Sequence, residues 1–247
     1  MASRPSFRDR AVVIRSYDFG EADRVIVLLT KTNGLVRAVA KGVRRAKSRF
    51  GSRLQLFVNL DVQLYSGRNL ATITQADTID YFGAQIIDDY DKYTAACVML
   101  EAAERLSLDS DPFLYELVIS TLKDLQDAEQ PMLVLDTFLL HAMTHAGWAP
   151  SLFHCAQCGA TGPHHAFHPA VGGATCGNCR PPGAAEVDPE TLHIMWLISH
   201  GYSAQATVAQ AGEAHQLIRA HLQWHLERKV NALSVMDQEL HDRKSVV

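Results

Sequence analysis

Hydrophobic positions along this chain change period twice, and the changes mark where its architecture changes. Over residues 10–80 the apolar runs are short and separated by turn residues. Residues 10–17 are apolar at their centre, and residues 24–31 are apolar nearly throughout. Residues 35–40 then follow across Asn33-Gly34, a strong signal for a tight hairpin. Residues 54–65 and 70–76 add two further runs. In the first of them Leu60, Val62 and Leu64 alternate with Asp61, Gln63 and Tyr65, the period of a half-buried strand. Five short strands joined by turns predict a small closed β-barrel. Periodicity alone does not choose its topology, although the OB-fold is the five-stranded barrel that repeatedly serves nucleic acid.

Past a boundary at residues 80–83 the period becomes helical. Residues 91–106 are rich in helix formers and place Tyr93, Cys97, Leu100 and Glu104 on adjoining turns. Asp109-Ser-Asp-Pro112 stops that helix and starts a second, lined by Phe113, Leu117, Leu122 and Leu125. Pro131 opens a third, with Leu135, Phe138, Leu139, Ala142 and Met143 towards a core, ending near Gly147. These three helices read as a bundle scaffold. Residues 151–183 break the pattern, being rich in Gly, His and Pro and poor in large apolar side chains. Asp188-Pro-Glu190 caps another helix through Leu192, Met195, Trp196 and Ile198. A last one is predicted from Glu213 to Leu233. The domains expected are thus a barrel over 1–80, a helical domain over 81–150 and 184–247, and a small module over 151–183. The fold class is multidomain α+β.

Charge sharpens this division. The net charge of −4 hides fourteen Lys/Arg against seven Asp/Glu in residues 1–80, and nine against twenty in the remainder. The front carries +7 and the back −11, which suggests an anion-binding module joined to something that is not one. The cations concentrate in residues 39–53, where six of fifteen residues are Lys or Arg and none is acidic. Such a loop cannot bury its charges and has little local reason to fold tightly. A polyanion is its natural partner, and the plain alternative is a solvated surface loop. Arg15, Arg24, Arg37, Lys41, Arg44, Arg45, Lys47, Arg49 and Arg53 are the DNA-contact candidates, with Tyr17, Phe19 and Phe50 as stacking surfaces or as core.

The 33-residue break carries Cys155-Ala-Gln-Cys158 and Cys176-Gly-Asn-Cys179, two C-x2-C turns separated by 17 residues. Thiolates so spaced can face one tetrahedral ion, so all four cysteines are expected to hold Zn2+, with Gly159 and Gly177 allowing the turns positive φ. Four protein ligands leave no open position, which favours a structural role over a catalytic one. A redox pair is the alternative, with nothing thioredoxin-like around it. Cys97 reads as a buried helical thiol. His141-x3-His145 and His221-x3-His225 lack the glutamate of H-E-x-x-H and read as packing or polar edge. Glu21 and Asp23 flank a turn with Gly20.

No nucleotide fingerprint or nucleophile elbow is present, and residues 42–48 lack the second glycine of a phosphate loop, so ATP binding is not supported. No run of about 18 apolar residues occurs, so no membrane span is predicted. The start MASRPSFRDRAVVIRS has neither an apolar core nor a small-residue cleavage site, so no secretory signal is predicted. A reducing cytosolic compartment is expected, in which five cysteines point to a metal or buried thiols before disulfides. A zinc-assisted nuclease or deaminase would need an open ligand position and a general base, and neither appears near the cysteines. A zinc-ribbon adaptor binding only protein, in transcription or translation, is the other alternative.

The joint pattern resembles the bacterial recombination-mediator family RecO. The similarity rests on residues 16–24, 39–49 and 70–76, on Cys155-Ala-Gln-Cys-Gly159, on residues 167–173, and on Cys176-Gly-Asn-Cys-Arg180. It runs in order over nearly the whole chain. It implies an N-terminal OB-fold, a helical domain with the zinc module embedded in it, and action without turnover chemistry. It also implies binding of single- and double-stranded DNA, strand annealing, and a complex with RecR. That complex loads RecA recombinase onto single strands coated by single-stranded-DNA-binding protein (SSB). Lys41, Arg44, Arg45, Lys47 and Arg49 take the DNA-contact role by position, and the four cysteines the zinc role.

Overall fold

The computed structural model describes residues 6–226, 230 and 232. The chain forms two compact units, Met1–Ala128 and Glu129–Val247. Of the three helices read as one bundle, the first two belong to the first unit and the third to the second.

In the first unit the strands are β1 (Ser6–Phe19), β2 (Asp23–Thr30), β3 (Leu35–Ala40), β4 (Val58–Tyr65) and β5 (Ala71–Tyr81). They close a barrel in the order β1-β2-β3-β5-β4, with β3 and β5 parallel and every other neighbour antiparallel. That order is the OB arrangement, which periodicity had left open. Closure depends on the length of β1. Its first half pairs with β4 and its second half with β2. A bulge between Val13 and Arg15 bends the strand from one neighbour to the other. Residues 54–57, read as the start of a strand, belong instead to the loop before β4.

The interior is filled by alternate residues, among them Ala11, Val13, Ile26, Leu28, Ala38, Leu60, Val62, Leu64 and Ile73. In β2 the residues between the core positions, Val25, Val27 and Leu29, are also buried. Around Val27, whose row partners Arg15 and Arg37 meet Glu104, the reason is helical cover. α1 (Tyr90–Leu106) packs on β1, and α2 (Pro112–Gln126) packs on β1 and β2. A strand covered on both faces reads as an unbroken apolar run rather than an alternating one.

Local sequence sets the helix ends. Asp89 accepts a hydrogen bond from the Lys92 N–H, and Asp111 from the Leu114 N–H, with Pro112 in the first turn as its fixed φ suits. Leu114, Tyr115, Val118, Leu122 and Leu125 form the buried face of α2, whereas Phe113 is turned out and half exposed. Gly34 takes φ 62, and a Cβ there would lie 2.2 Å from the Asp109 carbonyl oxygen, so both the turn and the approach of the α1–α2 connection require glycine.

The second unit holds α3 (Pro131–His145), β6 (Ala166–His168), β7 (Gly173–Thr175), β8 (Ala185–Glu186), α4 (Pro189–Ser199) and α5 (Val208–His225). The three short strands form a sheet ordered β7-β6-β8, and α3, α4 and α5 pack pairwise. Leu135, Phe138, Leu139, Ala142 and Met143 are buried as the sequence predicts. α5 starts earlier than the expected Glu213, because Thr207 and Gln210 form a capping box. It stops at His225, where Leu226 adopts extended backbone. Leu233, the expected end, lies outside the described residues.

Candidate nucleic-acid interface and metal centre

The cationic stretch connects β3 to β4. It is a series of turns, and it is anchored more firmly than its composition suggests. The Gly42 N–H donates to Asp23 Oδ1 at 2.7 Å, and the Arg44 N–H to the Ala22 carbonyl at 3.0 Å, which ties the loop's start to the β1–β2 hairpin. Its middle is fixed by Phe50 and Leu54, which are 2% and 3% exposed and belong to the barrel core. Phe57 closes the loop with a left-handed backbone (φ 66) and a fully buried ring. The expectation of a loosely folded loop is therefore corrected: Phe50 and Leu54 peg it to the barrel. Phe50 is likewise removed from the stacking candidates, since its ring is core and Arg49 lies 4.8 Å over its centroid.

With the apolar side chains turned in, the cations are turned out. Lys41, Arg44, Arg45, Lys47, Arg49 and Arg53 are all exposed. Arg44 pairs with Asp18 Oδ2 at 3.2 Å, and Arg24 on β2 pairs with Asp18 Oδ1 at 2.9 Å. Arg53 reaches the Arg49 and Ala76 carbonyls. Among the described residues, Lys41, Arg45, Lys47, Arg49 and Arg53 form no ion pair with a carboxylate. Five uncompensated charges on one short loop repel one another and attract a polyanion.

The strand arginines are placed differently. Arg15 and Arg37 lie on the outer face of the barrel and converge on Glu104 Oε1 of α1, at 3.1 Å and 3.7 Å. One carboxylate cannot neutralise two guanidinium groups, so a positive charge remains there. Sequence reading missed both acids. Asp18 was findable, because the hairpin register sets it opposite Arg24. Glu104 was not, since nothing local says that α1 lies on that face.

The four cysteines converge. Their sulfur atoms all lie within 4.8 Å of one another, and those of Cys158 and Cys176 are 3.8 Å apart. Tetrahedral zinc thiolates at about 2.3 Å place sulfurs about 3.8 Å apart, so the set fits such an ion. The chain builds the pocket from two turns. The Gly159 N–H donates to the Cys155 carbonyl at 2.9 Å with φ 73, as predicted, and the Ala156 N–H ties the turn to Ala174 on β7. In the second turn the Cys179 N–H donates to the Cys176 carbonyl at 3.1 Å. Gly177 does not take positive φ there, which corrects the expectation for it: a simple turn closes without a left-handed residue.

Electrostatics also favours a cation at this point. Backbone N–H groups of Cys176 and then Cys158 hold the Cys155 thiol down at about 6. Hydrogen bonding with the Cys176 and Cys158 sulfurs pushes Cys179 up to about 12. Four thiolates side by side repel, and a metal ion relieves that repulsion. The neighbouring histidines are not drawn in. His164 is buried with Nε2 3.1 Å from the Ala160 carbonyl, and His154 and His165 are exposed.

Elsewhere Cys97 is partly buried, and burial raises its thiol. His221 is fully buried with Nε2 2.9 Å from the Trp148 carbonyl, and His225 stacks on the Trp148 ring, so that pair serves packing. No described helix is long and apolar enough to cross a membrane.

The same two regions are matched by known protein sequences. Residues 1–82 match the family described as Recombination protein O N terminal, and residues 87–234 match Recombination protein O C terminal. Barrel, helices and cysteine cluster fall within those spans, and the chain belongs to the RecO family of DNA-repair recombination mediators.

Proposed function

We propose that the barrel binds single- and double-stranded DNA through its phosphates, and that the protein anneals complementary strands without turnover chemistry. The observation that carries this reading is the anchored loop with five uncompensated cations. Lys41, Arg44, Arg45, Lys47, Arg49 and Arg53 grip phosphate, and Arg15, Arg24 and Arg37 extend the positive field along the strands. Neutralising two strands on one surface lowers their mutual repulsion, so complementary segments can meet. Phosphate contacts carry no base information, so sequence preference is weak and salt dependence steep. Family membership further supports a complex with RecR that helps load RecA onto SSB-coated single strands, in a cytoplasmic, nucleoid-associated setting.

In this reading residues 1–80 are the DNA-binding domain, 81–150 and 184–247 the helical scaffold, and 151–183 a zinc module. Cys155, Cys158, Cys176 and Cys179 hold structural Zn2+, which fixes a segment too poor in apolar residues to fold on burial alone.

The test is a titration of single- and double-stranded DNA across salt with Lys41, Arg44, Arg45 and Lys47 changed to Ala. Losing up to four phosphate contacts should flatten the slope of log K against log salt by roughly three units on either DNA. Unaltered affinity and slope would remove the loop from the interface.

A further inference from the structure

Three lateral rows cross the outer face of β1, β2 and β3. Arg15, Val27 and Arg37 form one. Tyr17, Val25 and Val39 form the next, and Phe19 pairs with Asp23 at the hairpin tip. The bulge after Val13 decides which side chains reach this face. Val13 belongs to the interior, and without the inserted residue a strict alternation would turn Arg15, Tyr17 and Phe19 inward as well. With it, all three point out on one face.

The middle of this face is apolar and its ends are cationic. Val25 and Val39 are 1% and 8% exposed, whereas Tyr17 and Phe19 are 43% and 48% exposed. Neither ring contacts another ring among the described residues. Arg15 and Arg37 stand at one end of the rings. At the other end Lys41 follows directly on β3, two residues past Val39 and so on the same face by alternation. Two residues apart on a strand, their Cα atoms are separated by about 6.7 Å, close to two stacking steps of a nucleic-acid strand.

We propose that Tyr17 and Phe19 form a stacking platform for unpaired bases, with the cations at either end taking the flanking phosphates. Every base offers a π-face, so such a platform is indifferent to sequence, and a duplex has no free base to place on it. The platform therefore gives single strands an attachment that duplexes lack. This inference rests on the DNA-binding reading above and adds base contact to it.

The experiment compares oligothymidylate, an abasic strand of equal length and a duplex, each titrated across salt with the full chain. Tyr17→Ala with Phe19→Ala should weaken oligothymidylate binding by roughly tenfold per ring, with abasic and duplex affinities and every salt slope unchanged. Tyr17→Phe with Phe19→Tyr keeps the rings and should bind as the parent does. The inference is overturned if the double Ala variant still prefers oligothymidylate to the abasic strand by the parent's margin, or if all three ligands weaken equally. The loop variant separates the two readings. Should it leave affinity and slope intact while the base preference persists, the loop's phosphate contacts fail, Lys41 among them, and ring stacking flanked by Arg15 and Arg37 stands.

Discussion

The Tyr115 hydroxyl donates to Asn59 Oδ1 at 2.8 Å, and the two residues are 2% and 4% exposed. Asn59 in turn donates from Nδ2 to Asp80 at 3.0 Å, so one buried chain links α2, β4 and β5. Tyr115→Phe leaves the Asn59 oxygen buried without its donor and should destabilise the first unit by about 1–2 kcal/mol. Burial pushes the Tyr115 hydroxyl up to about 12. A folded value above the unfolded one means that the contribution is intact below about pH 10 and declines as pH rises from 10 through 12. Denaturant melts across that range should show the decline in the parent and a shallower one in Tyr115→Phe.

Glu104 restrains two of the arginines proposed to contact DNA. Glu104→Gln keeps shape and removes the charge, so Arg15 and Arg37 become available to phosphate. DNA should bind several-fold more tightly at low salt, with a slope steeper by up to about one unit. The guanidinium groups are half exposed, so the stability cost should stay within ~1 kcal/mol. A salt titration set beside a thermal melt checks both. Unchanged or weaker binding would place the DNA away from these strands.

What the sequence made legible followed from periodicity and spacing. Leu60, Val62 and Leu64 announced a half-buried strand, and two C-x2-C turns announced a four-sulfur cluster, because each pattern needs only local geometry. What stayed hidden depends on distant partners. Glu104 became a counter-ion only because α1 lies on the outer face of β1. Asp136 and His215, 79 residues apart, form a buried contact at 2.8 Å between α3 and α5 that no local pattern marks. Phe50 was ambiguous for the opposite reason. An aromatic among cations reads equally as a stacking ring or a peg, and only the barrel's closure decided for the peg.

With the cysteine cluster holding Zn2+ as proposed, removal of the ion has a predictable effect. The short strands β6, β7 and β8 supply few buried apolar residues, so chelation should unfold residues 151–187 locally and make all four thiols reactive. Hydrogen exchange should rise there while β1–β5 keep their protection. Cys155→Ser should give the same local loss without chelator, because a serine hydroxyl is a poor zinc ligand. DNA affinity retained under both treatments would make the metal structural in the strict sense. Protection of 151–187 that survives chelation would show the segment to be held by packing alone.

His221 gives the second unit a predictable response to acid. The ring is fully buried against Phe167 and His225, and its Nε2 lies 2.9 Å from the Trp148 carbonyl. Burial, chiefly, holds its pKa below the usual histidine value of 6.5, against the raising effect of the Trp148 carbonyl. A folded value below the unfolded one means that the unfolded chain takes up the proton first. The contribution is therefore complete above about pH 6.5 and is lost as pH falls below it. His221→Gln keeps a donor for Trp148 and cannot be charged, so the gap in melting temperature between parent and variant should hold level from pH 7.5 to about 6.5 and narrow from there to pH 5. A gap of constant size across that interval would mean that His221 does not titrate on unfolding.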